Sequence, residues 1–377
     1  MGGKRMIYLD YTAHMPPSPE ALRAFVQAEG ACIGNANAHH AAGEEAREWM
    51  DAARQQTAAL LSVFPDEIVF TSGASESSNT AIQGIAYASR HFGRHIITTP
   101  LEHPSVSGCL TALQERGYEI DVLPIGPDGR IDLNALSAAL RPDTVLATLC
   151  AVDSELGVIQ PVEEAARIIR RFPHCHLHVD ATQAIGKIPF DLSLADTAAF
   201  SAHKFGGVTG SGILYKKREI DMEPLIHGGV STSIYRSGTP AVGLAVSLAA
   251  ALENAVHDLP DHLKRVQALN AFLRQELIKK NVRIFSPENA IPHILNIGVE
   301  GVKGAAMREQ LNKHGVCVSV KSACSVENTP SRAVYAVTKN RRQALEAFRV
   351  SLSHVTTEAD IMEFLRLFDL VREELKQ

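Results

Sequence analysis

Along the first two-thirds of the chain, short apolar runs rich in β-branched residues alternate with longer stretches whose apolar positions recur every three to four residues. The short runs predict strands at 67–71, 95–99, 119–123, 145–149, 176–179, 197–200 and 212–215. The longer stretches predict helices at 44–61, 77–92, 105–116, 133–140 and 162–172. Strands alternating with helices point to an α/β fold with a mainly parallel central sheet covered by helices. The run Thr144-Val145-Leu146-Ala147-Thr148-Leu149 shows no strict polar alternation, which suits a strand buried on both faces.

From about Val242 the pattern changes. One long helical stretch, 243–280, is followed by strand-like pieces at 293–299 and 316–320 and a terminal helix at 358–376. At 377 residues the chain exceeds one ordinary domain. The expected division is a large domain over 11–245 and a smaller α+β domain over 246–377, to which residues 1–10 return through Ile7-Tyr8-Leu9.

Composition narrows the classes. With 45% hydrophobic and 21% charged residues the chain reads as globular, and a net charge of −5 gives no electrostatic reason to bind nucleic acid or a membrane surface. The cysteines Cys32, Cys109, Cys150, Cys175, Cys317 and Cys324 form no CxxC pair and no dense framework, which suits free thiols in a reducing compartment. The start of the chain does not read as a signal peptide, and no apolar run reaches membrane length, so a cytoplasmic location is expected. His39-His40 lacks companion ligands at metal-like spacing, and no metal is expected.

The chemistry lies in loops after the strands. Thr71-Ser72-Gly73-Ala74-Ser75 follows a strand and opens a helix, where backbone N–H groups and hydroxyls can cradle an anion; an ordinary capped loop would read the same way. Asp180 closes a strand in His178-Val179-Asp180-Ala181-Thr182-Gln183, either to face a ligand crevice or to cap the next helix. Lys204, in Ser201-Ala202-His203-Lys204, is a candidate amine nucleophile or a solvated loop charge. His103 could stack on a flat ring and relay protons, or sit idle on the surface. Arg349 could clamp a carboxylate bidentately, or be an exposed strand arginine. Cys324 lies in the polar stretch 321–332, with Lys321 near enough in sequence to favour its thiolate. An amine for an aldehyde, an acid for a pyridinium and a distant thiol are together the components of sulfur chemistry on pyridoxal 5'-phosphate (PLP).

In this order, these segments resemble the cysteine desulfurases (NifS-like proteins) of the class-V aminotransferases. The likeness runs nearly end to end, through Tyr8-Leu9-Asp10-Tyr11, Gly34-Asn35, the Ser72 loop, Glu102-His103, Glu155-Leu156-Gly157, His178 to Gln183, Ser201 to Lys204, Arg236-Ser237-Gly238-Thr239, Ser322-Ala323-Cys324 and Arg349. The resemblance implies the fold type I architecture of PLP-dependent transferases. It implies PLP on Lys204 as a Schiff base, Asp180 at the pyridinium, His103 stacked on the ring, and Gln183 and Ser154 near the phenolic oxygen. Ala74, Ser75, Ser201 and His203 would hold the phosphate, with Thr239 arriving from the second subunit of a homodimer. Asn35 and Arg349 would bind the carboxylate of L-cysteine, and Cys324 would take its sulfur as a persulfide for a sulfur-acceptor protein, such as an iron–sulfur scaffold or a tRNA-thiolation enzyme.

The sequence also departs from that family. Asp153-Ser154 stands where Asn-Asn is usual, Lys321 where glycine is usual, and Ala13-His14 where Thr-Thr follows the alanine; the stretches 34–40 and 325–330 are short. Two other readings therefore stand beside the desulfurase: another PLP reaction on an amino acid (selenocysteine lyase, β-elimination or transamination), or a catalytically degenerate scaffold.

Overall fold

The computed structural model describes residues 6–229, 231, 233–321 and 329–375. Its strands are β1 (Ile7–Tyr8), β2 (Ile68–Thr71), β3 (His95–Thr98), β4 (Glu119–Val122), β5 (Thr144–Cys150), β6 (His176–Asp180), β7 (Thr197–Ser201), β8 (Gly212–Lys216), β9 (Arg283–Ile284), β10 (Ile294–Gly298), β11 (Val316–Cys317) and β12 (Ala347–Ser351). Its α-helices are α1 (Pro19–Ala31), α2 (Ala41–Leu61), α3 (Ala74–Ala88), α4 (Pro104–Gln114), α5 (Leu133–Ala139), α6 (Val162–Ile169), α7 (Val242–His257), α8 (Leu259–Lys279), α9 (Gly304–Lys313), α10 (Arg332–Thr338), α11 (Arg341–Glu346) and α12 (Glu358–Glu374).

Seven strands form one sheet in the order β2-β8-β7-β6-β5-β3-β4. From β4 to β7 every neighbouring pair is parallel, while β8 runs antiparallel to both β7 and β2. Successive strand side chains face opposite ways. Ile96 and Leu146 accordingly join Ile82, Ile85 and Leu113 in one buried cluster, whereas their neighbours Ile97 and Ala147 join Val179, Leu248 and Leu252 in another. Both faces are thus closed by helices, and all seven residues of β5 are buried. Each fully buried leucine or isoleucine contributes about 1.5–3 kcal/mol, so the sheet is held by its two covers rather than by its edge.

A second, three-stranded sheet has the order β12-β10-β9 and is antiparallel, and β1 pairs in parallel with β11. Around them Val266, Leu273, Ile297, Phe348, Phe364 and Phe368 form a separate apolar cluster. Isolated bridges join Asp10 to Ser351 and Ser319 to Arg349, tying the first strand to the last.

Two expectations change. The helical stretch 243–280 is not continuous: α7 and α8 meet at Asp258 with a bend of 66°. Pro260 stands at the start of α8, where its missing N–H costs nothing; continued as one helix, its ring would collide with the carbonyl one turn back. The strand expected over 316–320 is only Val316–Cys317, continued by the single bridge at Ser319. Among the described residues no single helix is long and apolar enough to cross a membrane.

Candidate functional site

The carboxyl ends of the parallel strands and the first turn of α3 converge on a cavity of about 210 Å³. Ala74, Ser75, His103, Ser154, Asp180, Gln183, Ser201, His203, Lys204 and Arg349 line it, with Thr12, Ala13, Leu101, Cys150, Val152 and Thr182 completing the wall. A parallel sheet presents its carboxyl ends to one crevice, which is why residues so far apart in sequence meet there.

One end of the cavity is built for an anion. Gly73 precedes α3, and the Ala74 N–H donates to Ser201 Oγ at 2.7 Å, so the helix start and the end of β7 are joined. Thr71 Oγ1 and Ser77 Oγ lie 2.7 Å apart beneath the turn. The carboxylate of Glu76 accepts from the Ser72 N–H at 2.8 Å and from Arg236 Nε at 3.0 Å, fixing the outside of the loop. The aligned N–H groups of a helix start favour negative charge.

The opposite wall carries the amine. Lys204 ends a short 3₁₀ turn after β7, and its Nζ donates to the carbonyls of Thr12 at 3.0 Å and Ala13 at 2.7 Å. Gln183 Nε2 donates to the same Thr12 carbonyl at 3.1 Å, and Lys187 Nζ donates to Gln183 Oε1. Lys187 is buried, and the loss of hydration pushes its amine well below the usual lysine range.

Asp180 ends β6, and its Oδ1 accepts from the Thr182 N–H at 3.0 Å. Two positions back on the same strand face, His178 is wholly buried with Nδ1 2.9 Å from Thr197 Oγ1; burial pulls its pKa down to about 4, with Asp180 working the other way. His103 caps α4. Its Nδ1 accepts from the Ser105 N–H at 3.2 Å, which leaves the proton of the neutral ring on Nε2. Burial holds its pKa below the ordinary histidine value, assisted by Lys204 and Arg332 and opposed by Asp180. His203 is driven down to about 4 by burial and then by Lys204 and His14.

At the far end stands Arg349 of β12, which is 1% exposed. Its Nη2 pairs with Asp10 Oδ1 at 2.8 Å, its Nη1 donates to the Ser154 carbonyl at 2.7 Å, and its Nε is buried without a partner among the described residues. The exposed-strand reading of Arg349 is therefore incorrect. Beside it, burial raises Asp153 to about 7, and its carboxyl caps the next turn by accepting from the Glu155 and Leu156 N–H groups. Glu102 is also raised to about 7 by burial; its Oε1 accepts from Thr99 Oγ1 at 2.8 Å and the Cys150 N–H at 2.9 Å.

Not every expected residue reaches this cavity within one chain. Asn35 is exposed and closes its own loop by accepting the Asn37 N–H at 3.0 Å. Thr239 is exposed in a neighbouring hollow with Arg54, Ser72 and Arg236. Cys324 lies outside the described residues; of the residues flanking that gap, Lys321 Nζ donates to the Thr329 carbonyl at 3.0 Å. Sequence reasoning overlooked the carbonyls of Thr12 and Ala13, the Asp10 carboxylate and Lys187. Backbone carbonyls leave no trace in sequence. Lys187 did leave one, being a lysine inside the otherwise apolar Ala184-Ile185-Gly186-Lys187-Ile188. Among the described residues no group of His, Cys, Asp and Glu could hold a metal ion.

The family model for class-V aminotransferases matches residues 7–364. A NifS/IcsS protein homolog of Lactobacillus delbrueckii subsp. bulgaricus is 37% identical over 371 residues, covering 97% of this chain and 96% of the relative. The cysteine desulfurase IscS of Dictyoglomus turgidum is 33% identical over 379 residues, covering 99% and 96%. A solved NifS-like protein superposes with a TM-score of 0.92 at 34% identity, covering 98% of this chain and 100% of that one. The chain belongs to the class-V aminotransferase family, and within it stands among the NifS/IscS cysteine desulfurases and their homologues.

Proposed function

We propose that this protein is a PLP-dependent cysteine desulfurase that converts L-cysteine to L-alanine and places the sulfur on Cys324. The observation that carries the reading is one small cavity receiving an amine from Lys204, a carboxylate from Asp180, a helix start at Ala74 and Ser75, and a guanidinium from Arg349. That donor set fits PLP, since each polar group of the cofactor has a chemically suited partner and Leu101, Cys150 and Val152 supply apolar wall for the ring.

Bound there, PLP would supply an electron sink for the amino acid's α-carbon. The residues supply the rest. Lys204 would hold the cofactor and, once displaced by substrate, would carry protons at its Nζ. Asp180 would keep the ring nitrogen protonated, and Ala74, Ser75, Ser201 and His203 would bind the phosphate, with Thr239 contributed by a second copy of the chain. Gln183 and Ser154 would stand near the phenolic oxygen. His103, kept neutral by burial, would stack on the ring with a nitrogen able to exchange protons. Arg349 would bind the substrate carboxylate, with Asn35 closing over it. The carbon–sulfur bond of cysteine breaks as a sulfur–sulfur bond to Cys324 forms, and alanine leaves carrying a proton in place of sulfur.

The same reading takes in a homodimer, the division at about residue 245 into a large and a small domain, a cytoplasmic location, and an acceptor protein of the iron–sulfur scaffold or tRNA-thiolation kind. The deciding experiment incubates PLP-loaded protein with L-cysteine and a reductant and measures alanine and sulfide. Wild type is expected to form both, and Cys324→Ala to bind PLP yet form neither. Equal turnover by the variant would reject sulfur transfer to Cys324, and a protein that never binds PLP would reject the enzyme.

A further inference from the structure

A buried lysine needs a reason to be where it is, because removing an ammonium from water is costly unless it is paired or neutral. Lys187 is 7% exposed. Its hydrogen-bond partner is Gln183 Oε1, one helical turn earlier in the chain of turns after β6. Gly186 makes that placement feasible: it takes φ of +74°, and a Cβ there would lie 2.8 Å from that of Phe205 and 3.0 Å from that of Ala255. Among the described residues, the charged groups acting on Lys187 are Lys204 and Arg349, with no carboxylate, and it acts in turn on His203 and His293. An ion pair is therefore not its purpose.

Gln183 is held at both ends. Its oxygen takes the Lys187 donor and its nitrogen donates to the Thr12 carbonyl at 3.1 Å. A flipped amide would set oxygen against the Thr12 oxygen and lose that bond, so the amide's orientation is fixed while the Lys187 donor holds its other end in place. Of the two Gln183 N–H bonds, one is taken by Thr12 and one remains for the cavity that the side chain lines. Lys204 Nζ shares the Thr12 carbonyl at 3.0 Å, so the clamp abuts the reactive amine.

We propose that Lys187 is a positioning residue: it locks the Gln183 amide with an N–H donor facing the cofactor's phenolic oxygen, and thereby sets the acidity of the proton that the cofactor shares with Lys204. The inference rests on the PLP reading above. A donor at that oxygen draws off negative charge that would otherwise retain the shared proton. Loss of the donor, or of the amine that holds it in place, makes the proton harder to remove, so both act in the same direction.

The test is a pH titration of the visible absorption band of PLP-loaded protein, which needs no turnover. Lys187→Met, a change of similar length, is expected to raise the band's pH midpoint by about 0.5–1 unit, the displacement expected of one lost charge-assisted contact. Gln183→Leu should raise it likewise, and the double variant no further than either single one, because the two residues act as one device. Lys187→Leu serves as a second variant should Met not fold, with a displacement of the same sign. A folded Lys187 variant that binds PLP and titrates as wild type, whatever its melting temperature, overturns the role of Lys187 while leaving the desulfurase intact. A wild type that forms no band at all overturns both.

Discussion

His178 and Arg349 share one condition in different parts of the fold: each is a polar side chain removed from water and committed to fixed partners. For His178 the consequence is a dependence of stability on pH. Its pKa is about 4 in the fold against an ordinary value near 6.5, so its contribution is fully present above about pH 6.5 and is lost as pH falls towards 4. At about 1.4 kcal/mol per unit, the loss is on the order of 3 kcal/mol. Glu102 and Asp153, both raised to about 7, work the other way across the same range: their contribution is present at acid pH and is lost as pH rises to 7. The wild-type curve therefore mixes the two, and the informative quantity is a difference. His178→Asn is expected to be less stable than wild type at pH 7, with a gap that narrows towards pH 4 in urea unfolding; a gap independent of pH would contradict this. For Arg349 the consequence is in binding. Arg349→Lys keeps the charge but loses the fork that engages Asp10 and Ser154, so the KM for cysteine should rise by about 10–100-fold while the PLP band persists. An unchanged KM would place the substrate carboxylate elsewhere. At this scale the sequence revealed residue types but not commitments: Arg349, Lys204 and Asp180 were visible as candidates, whereas their carbonyl partners are common to every residue.

Secondary elements meet closely where β8 passes the turn into α3. A Cβ on Gly212 would lie 2.5 Å from Gly73 Cα and 2.8 Å from its carbonyl carbon. Gly212→Ala should therefore push the Gly73 turn away from Ser201 and weaken PLP binding about tenfold, read as the cofactor concentration that half-develops the visible band. A lowered melting temperature with unaltered affinity would show that β8 yields instead. The seven strands of the large sheet were legible to within a residue or two, most plainly β5, whose seven buried residues form an unbroken run of Thr, Val, Leu, Ala and Cys. Less was legible where elements are brief or polar: α10, α11 and the two-residue strand β9 hold too few periods to register, β11 is shorter than the expected 316–320, and the α7–α8 break hinged on Pro260 alone. The deeper reason is that pairing of β1 with β11 is a property of the fold, not of either segment.

On the scale of the whole molecule, a single chain brings Lys204, Asp180 and Arg349 to one cavity but leaves Thr239 in a hollow outside it. If that threonine serves the other copy, subunits with complementary defects should rescue one another. Lys204→Ala and Thr239→Glu chains, each inactive alone, are expected on co-refolding to regain about a quarter of wild-type activity, since half of random dimers are mixed and each has one intact site. No recovery would confine each site to one chain.

The ion pair between Asp10 and Arg349 spans 339 positions. On the ribosome, the seven strands of the large sheet have all been synthesised by residue 216, so the wall bearing Lys204 and Asp180 can consolidate while Arg349 is still unmade. Asp10 must meanwhile wait with its carboxylate unanswered. The order of synthesis thus separates the two sides of the cavity in time: the wall bearing Lys204 and Asp180 can form first, and Arg349 arrives only when the last strand closes on the first.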